Sequence, residues 1–345
     1  MSTADVCAAI LWTGVTLYAI FGGADFGAGV WDFLAGTGER ATRVRAQIDR
    51  SIGPVWEANH VWLIFVLVVL WTAFSEAFSA IFSTLYIPLA LAALGIVLRG
   101  AGFAFRHALP GPVQRPATRV FGFASVITPF FLGTVVGAIA SGEVPAQGDG
   151  DPTASWTGFL PLTTGILFVL VAAYTAAVFL VRDSGAAGDR DLRRYFERRA
   201  LAAAVVAGAA AVVGVIALHA DGRYVYDGLT SWPGIALVIL SALCGLVALF
   251  LLVTGRNYGL RAAAIGAGAA VLWGYFAAAF PYILPTSLTI SQAAGASATL
   301  TAVIIVFAAA AVTVIPSLIL LYVLSQRQAL DGGYSASSEA TSPRQ

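Results

Sequence analysis

Lysine is absent from this 345-residue chain, methionine occurs once (Met1), cysteine twice (Cys7 and Cys244) and histidine three times (His60, His107 and His219). Each scarcity closes off a chemistry. Both cysteines sit inside apolar blocks with no CxxC or zinc-like spacing, so thiol redox and zinc sites are not expected. With no internal methionine and few histidines, haem ligation by bis-His or His/Met pairs has almost no residues to use. All 19 basic residues are therefore arginine, which by itself carries no functional conclusion. Charge is also scarce, at 11% of residues, and a net charge of +1 leaves no electrostatic footprint for nucleic acid. The residues before the first apolar block hold Asp5 and no basic group, so a cleaved signal peptide is not expected.

Apolar residues are abundant: 59% of the chain is hydrophobic and its mean hydropathy is +0.85. A soluble domain of this size could not hide so much apolar surface. The apolar residues fall in blocks of about 20, long enough for membrane helices, whereas a barrel strand needs only about 10. Blocks near 6–24, 54–74, 77–98, 119–140, 156–181, 200–218, 232–253, 262–283 and 297–324 predict an all-α integral membrane protein of nine transmembrane helices. Of the 19 arginines, 18 fall in alternate loops and the tail, on one side of such a bundle. Only Arg223 falls opposite, beside Glu76, Glu143, Asp149, Asp151, Asp221 and Asp227. By the positive-inside rule the arginine side is cytoplasmic, with the N-terminus outside and the C-terminus inside. That parity requires an odd number of helices.

The polar connection 141–155 divides helices 1–4 (residues 1–140) from helices 5–8 (156–283), and helix 9 (284–326) is appended. The charged segment 182–199 is expected to hold a short surface helix, and the polar tail 327–345 to be disordered.

Four stretches carry polar groups into apolar surroundings. In SIGPVWEANHVWLIF, residues 51–65, Ser51 and Pro54 suit a helix start. Glu57, His60, Val61 and Ile64 then share a face, with Asn59 and Trp62 beside it. A carboxylate this close to the bilayer is costly and faces protein or water. Glu57 reads either as a proton relay or as a structural hydrogen-bonding group near the cytoplasmic interface. His60 reads as a hydrogen-bonding residue more readily than as a metal ligand, since it stands alone. In GGADFGAGVWD, residues 22–32, the glycines permit close helix packing, and Asp25 is a structural anchor or a proton-path group. No strand precedes this stretch and its spacing is not that of a dinucleotide loop. In LRGAGFAFRH, residues 98–107, Arg99 lies deeper than Arg106 and can pair with Glu57 or Asp25. Arg106 reads as snorkelling to headgroups. In FPYILPTSLT, residues 280–289, Pro281 and Pro285 end helix 8 in a turn.

Taken in this order, together with the longer run TLYIPLALAALGIVLRGAGFAFRH, these blocks resemble subunit II of the bd-type quinol oxidases over residues 6–324. The resemblance implies two four-helix bundles plus a peripheral helix. It also implies a heterodimer with subunit I, which carries two b haems, one d haem and the quinol-oxidising loop, and often a very small third subunit. The complex would sit in the bacterial plasma membrane among lipids and quinone, oxidise quinol and reduce dioxygen to water. It would build a proton gradient without pumping. This chain would bind no haem stoichiometrically and would not catalyse alone. The acidic position of the family motif W-[D/E]-x-N-x-V-W, placed on a proton path, corresponds here to Glu57, and the acidic position closing helix 1 to Asp25. His60 stands where the family often has Gln, which leaves its part in the path open.

Two other readings stand beside this one. A secondary transporter or channel also carries intramembrane acids and broken helices, but it would act alone or as a homomer rather than co-purify with a haem protein. A purely structural or assembly subunit would leave Glu57 without a proton role.

Overall fold

The structure, a computed structural model, describes residues 2–52, 56–108, 114–256 and 258–326, without the side chains at 52, 56–58, 107, 315, 318, 321, 322, 325 and 326. The expected tail 327–345 lies outside the described residues. Helix α1 runs from Thr3 to Phe33 and opens with a capping box, in which Ser2 and Asp5 satisfy each other's backbone N–H groups. Its 31 residues span about 46 Å, more than the roughly 30 Å of a hydrocarbon core. Residues 22–32 are therefore the last turns of α1 rather than a connection beyond it.

After the left-handed glycines Gly36 and Gly38 the chain forms α2 (Glu39–Ile52), where no helix was expected. Ala41, Val44 and Ile48 recur at helical spacing and are buried on one face. Helix α3 (Trp56–Ala73) breaks at Phe74, and α4 (Ser75–Thr84) leaves at 116° to it. Helix α5 follows from Tyr86 to Ala108. The expected span 77–98 is thus corrected: its first part is the corner helix α4, and the spanning helix is α5. The corner carries no Pro or Gly, and residues on both sides of it are apolar, so hydropathy cannot register it. Tertiary contact caps it instead, as Gly295 donates its N–H to the carbonyl of Ala73 at 2.9 Å.

Helix α6 (Gln114–Ala140) is followed by the short α7 (Ala154–Thr157) and by α8 (Phe159–Ala186). Only three residues separate the end of α8 from the start of helix α9 (Arg190–Asp221), so the charged segment 182–199 belongs to two long helices and holds no separate surface helix. The N-cap Asp189 accepts from the N–H of Leu192 and pairs with Arg43 of α2, and both hold its carboxyl below the usual range. Helices α10 (Arg223–Thr230), α11 (Gly234–Val253) and α12 (Leu260–Ala279) come next. The hairpin β1 (Tyr282–Leu284) and β2 (Leu288–Thr289) and the turn α13 (Ile290–Ala293) then lead into α14 (Ser297–Gln326).

Among the described residues eight helices are long and apolar enough to cross a membrane, and the broken pair α3–α4 makes a ninth if counted as one span. The chain is an all-α membrane protein. Helix α1 packs on α3 and α6, and α6 on α5; α8 pairs with α9, and α11 with α12. Contacts of α8 with α1 and α6 join the two groups, while α14 lies outside against α1 and α3. Three long-range bonds tie α1 to its neighbours: Cys7 Sγ to Leu300 O, Trp12 Nε1 to Leu272 O and Trp31 Nε1 to Ala173 O.

Candidate functional site

Helices α1 and α5 run in the same direction, towards the arginine-rich end, and arginine side chains of α5 reach across to α1. Asp25 and Asp32 are seven residues apart on α1, as are Arg99 and Arg106 on α5, so each pair shares a face two turns apart. The structure matches them rung for rung. Arg99 donates to Asp25 Oδ1 at 2.7 Å, to the Asp25 carbonyl at 3.3 Å and, through Nε, to Ser125 Oγ at 3.1 Å. Both side chains of that pair are 1% exposed. Arg106 bridges Asp32 of α1 and Asp49 of α2. Asp32 also accepts from Arg45 Nε at 2.8 Å. Phe121 of α6 lies between the rungs, with the Arg99 and Arg106 guanidinium carbons 4.8 and 4.3 Å from its ring centre.

Three arginines and three aspartates among the described residues therefore neutralise one another, with Asp25, Asp32, Arg99 and Arg106 buried and Arg45 and Asp49 at the edge. An ion pair buried this deeply is not a large net source of stability, but removing one member strands the other. The reading of Arg106 as a snorkelling side chain is corrected: Arg106 is buried and held by two carboxylates. It turns inward because α2, absent from the hydropathy reading, brings Asp49 over it.

His60 enters from α3. Its ring stacks on Phe26 at 5.9 Å between centroids and meets Tyr18 edge-on at 6.3 Å, and Arg99 covers the Phe26 ring at 5.1 Å. Asn59, next to it, is buried. Thus Asp25, Arg99 and His60 are brought together around Phe26. The side chain of Glu57 lies outside the described residues. Its backbone is in the first turn of α3, at the arginine-rich end. Among the described residues no three His, Cys, Asp or Glu side chains converge as a metal site would require.

Asp32, Asp49, Arg45, Ser125 and Phe121 belong to this cluster although the sequence reading did not select them. The shared seven-residue spacing of the two acids and the two arginines is the signal that could have found the second rung.

Fold and site together define a polytopic helical membrane protein with a charge-neutral ionic cluster buried at the arginine-rich end of its bundle. The family model described as cytochrome bd terminal oxidase subunit II matches residues 3–325, and the chain belongs to that family. It is 26% identical to the cytochrome bd ubiquinol oxidase subunit 2 of Bacillus subtilis (strain 168), over 82% of this chain and 81% of that one. It is 24% identical to a putative cytochrome bd menaquinol oxidase subunit II of the same organism, over 90% and 92%. Its fold is similar to a chain in the structure of the bd oxidase from Geobacillus thermodenitrificans, with a TM-score of 0.76 and 24% identity over 94% of this chain and 98% of that one. The chain is accordingly one subunit of a bd-type quinol oxidase, an oxidoreductase complex of the membrane that also contains a subunit I.

Proposed function

We propose that this chain is the haem-free half of that oxidase and supplies part of the path by which protons reach oxygen reduction in subunit I. In this reading subunit I holds the b and d haems and the quinol site. The complex oxidises quinol, reduces dioxygen to water, and builds a gradient without pumping, because quinol protons leave outside while oxygen chemistry draws on the cytoplasm. The N-terminus is outside and the arginine-rich end cytoplasmic, in keeping with the positive-inside rule. A very small third subunit and bound lipid or quinone fit the same assembly.

The observation that carries the family role is the match over residues 3–325. The path is supported by Asp25, a carboxylate buried in the bundle with Oδ1 bound to Arg99 and Oδ2 without a hydrogen bond among the described residues. Glu57, in the first turn of α3 at the arginine-rich end, is the proposed entrance. Asn59 and His60 continue inward to Asp25, with Arg99 and Arg106 as charge partners.

The test is Glu57→Gln in the purified complex, a change that keeps shape and hydrogen bonding and removes titration. Assembly and haem spectra are expected to be normal, with quinol-driven oxygen uptake slowed by about 100-fold, the low end for a positioned acid–base group. Glu57→Asp should retain more activity. Wild-type turnover in a fully assembled Glu57→Gln complex would leave Glu57 a structural residue.

A further inference from the structure

Asp32 and Asp25 continue into a third polar position on the same stripe of α1, Tyr18, seven residues further from the arginine-rich end. Tyr18 is near the middle of the 31-residue helix. A tyrosine in a membrane helix ordinarily keeps its ring in apolar surroundings and sends its hydroxyl to the water boundary. Tyr18 does the reverse. Its ring is partly exposed on the surface of this chain, yet its hydroxyl is enclosed and has no hydrogen-bond partner among the described residues.

The direction of the side chain follows from Gly22. A Cβ at that position would meet Tyr18 Cε2 at 2.8 Å and Cδ2 at 3.0 Å, so the ring lies over the glycine one turn onward, on the way to Asp25. His60 borders the same space, edge-on to Tyr18 and stacked on Phe26. Two enclosed polar atoms, Tyr18 Oη and Asp25 Oδ2, thus lie on one stripe, each without a hydrogen-bond partner among the described residues. Buried polar groups left in this way are commonly satisfied by ordered water, which needs two to four polar partners.

We propose that Tyr18, Asp25 and His60 form a binding site for water in the middle of the bundle, and that the Tyr18 hydroxyl is a proton-relay group following Asp25. In the relay the Asp25 carboxylate, still paired with Arg99, takes up a proton arriving from the Glu57 side and gives it to the bound water, returning to the carboxylate. That water passes one of its own protons to the phenol oxygen, and the phenol releases its original proton onward, so water and phenol end as they began. The transferred proton is consumed in oxygen reduction. The relay rests on the proton-path reading above, whereas the water site does not.

Tyr18→Phe removes one oxygen and little else, so assembly and haem content should be preserved. In the purified complex the infrared band of the Asp25 carboxyl group, identified by its loss in Asp25→Asn, is expected to shift in Tyr18→Phe. Oxygen uptake is expected to slow about tenfold, less than for loss of the acid itself because a second water can partly replace a phenol. An unshifted Asp25 band would overturn the site. A shifted band with wild-type turnover would uphold the site and overturn the relay. Asp25→Asn in the same assay separates the two failures: if it too turns over at the wild-type rate, the path through Asp25 is wrong, and if it is slow while Tyr18→Phe is not, only the extension through Tyr18 is wrong.

Discussion

Arg99 and Arg106 occupy equivalent rungs but differ in what their loss would leave behind. Removing Arg99 strands Asp25, whose side chain is 1% exposed and pairs with no second cation among the described residues. Removing Arg106 leaves Asp32 still bound to Arg45, and Asp49 at 30% side-chain exposure, where water can solvate it. Arg99→Leu is therefore expected to cost about 3–5 kcal/mol, the usual result of breaking a buried pair. Arg106→Leu should cost about 1–3 kcal/mol, in the range of a charged hydrogen bond lost with its partner partly satisfied. Haem content and the thermal midpoint of the purified complex would measure both, and equal, mild effects would refute the ranking. The sequence alone suggests the same order for a different reason, treating Arg106 as an interfacial residue. The contacts replace that reason, since Arg106 is interior and is backed up by Arg45.

Helix α1 approaches α8 so closely at Gly27 that a Cβ there would lie 1.9 Å from the carbonyl oxygen of Ala172. That atom is backbone and cannot move aside without separating the helices. One turn on, Trp31 donates to the carbonyl of Ala173, so the same contact is also tied by a hydrogen bond. Gly27→Ala is expected to destabilise the subunit by about 1–3 kcal/mol or to block assembly, as overpacking does. Gly208, in α9, would meet nothing within 4 Å, and Gly208→Ala should be neutral or mildly stabilising. Yield and thermal midpoint of the two variants would test the contrast, and a tolerant Gly27 would mean that the α1–α8 contact is looser than described. Both glycines look alike in sequence, and only the neighbouring helix distinguishes them.

Alternation of the helices sets the outline of the whole molecule. Five of the spanning helices, α8, α9, α11, α12 and α14, separate the 141–155 connection from the C-terminal end of α14 and place them on opposite sides. Reporter fusions at those two places should therefore report opposite compartments, the second one cytoplasmic. Agreement between the two reporters would mean that α8, α9, α11, α12 and α14 do not all cross the membrane. The ionic cluster adds a constraint on the same scale. Pairs from α2 to α1, α5 and the start of α9 join both halves of the bundle at the arginine-rich end.

Composition and block length were enough to read a helical membrane protein, because lipid leaves the backbone no other way to satisfy its polar groups over that many residues. Motif order was enough to read the family. The corner at Phe74 was not legible, because hydropathy averages over a window and carries no information about direction. The α2 helix was, in its buried Ala41, Val44 and Ile48, had periodicity been weighed in a segment rich in arginine. Which arginine meets which aspartate was decided only by the relative rotation of α1 and α5, helices some 74 residues apart in the chain. The inward hydroxyl of Tyr18 was decided in the same way. A single helix presents all its faces equally in sequence, and only its packed neighbours determine which polar groups are enclosed together and which face the bilayer.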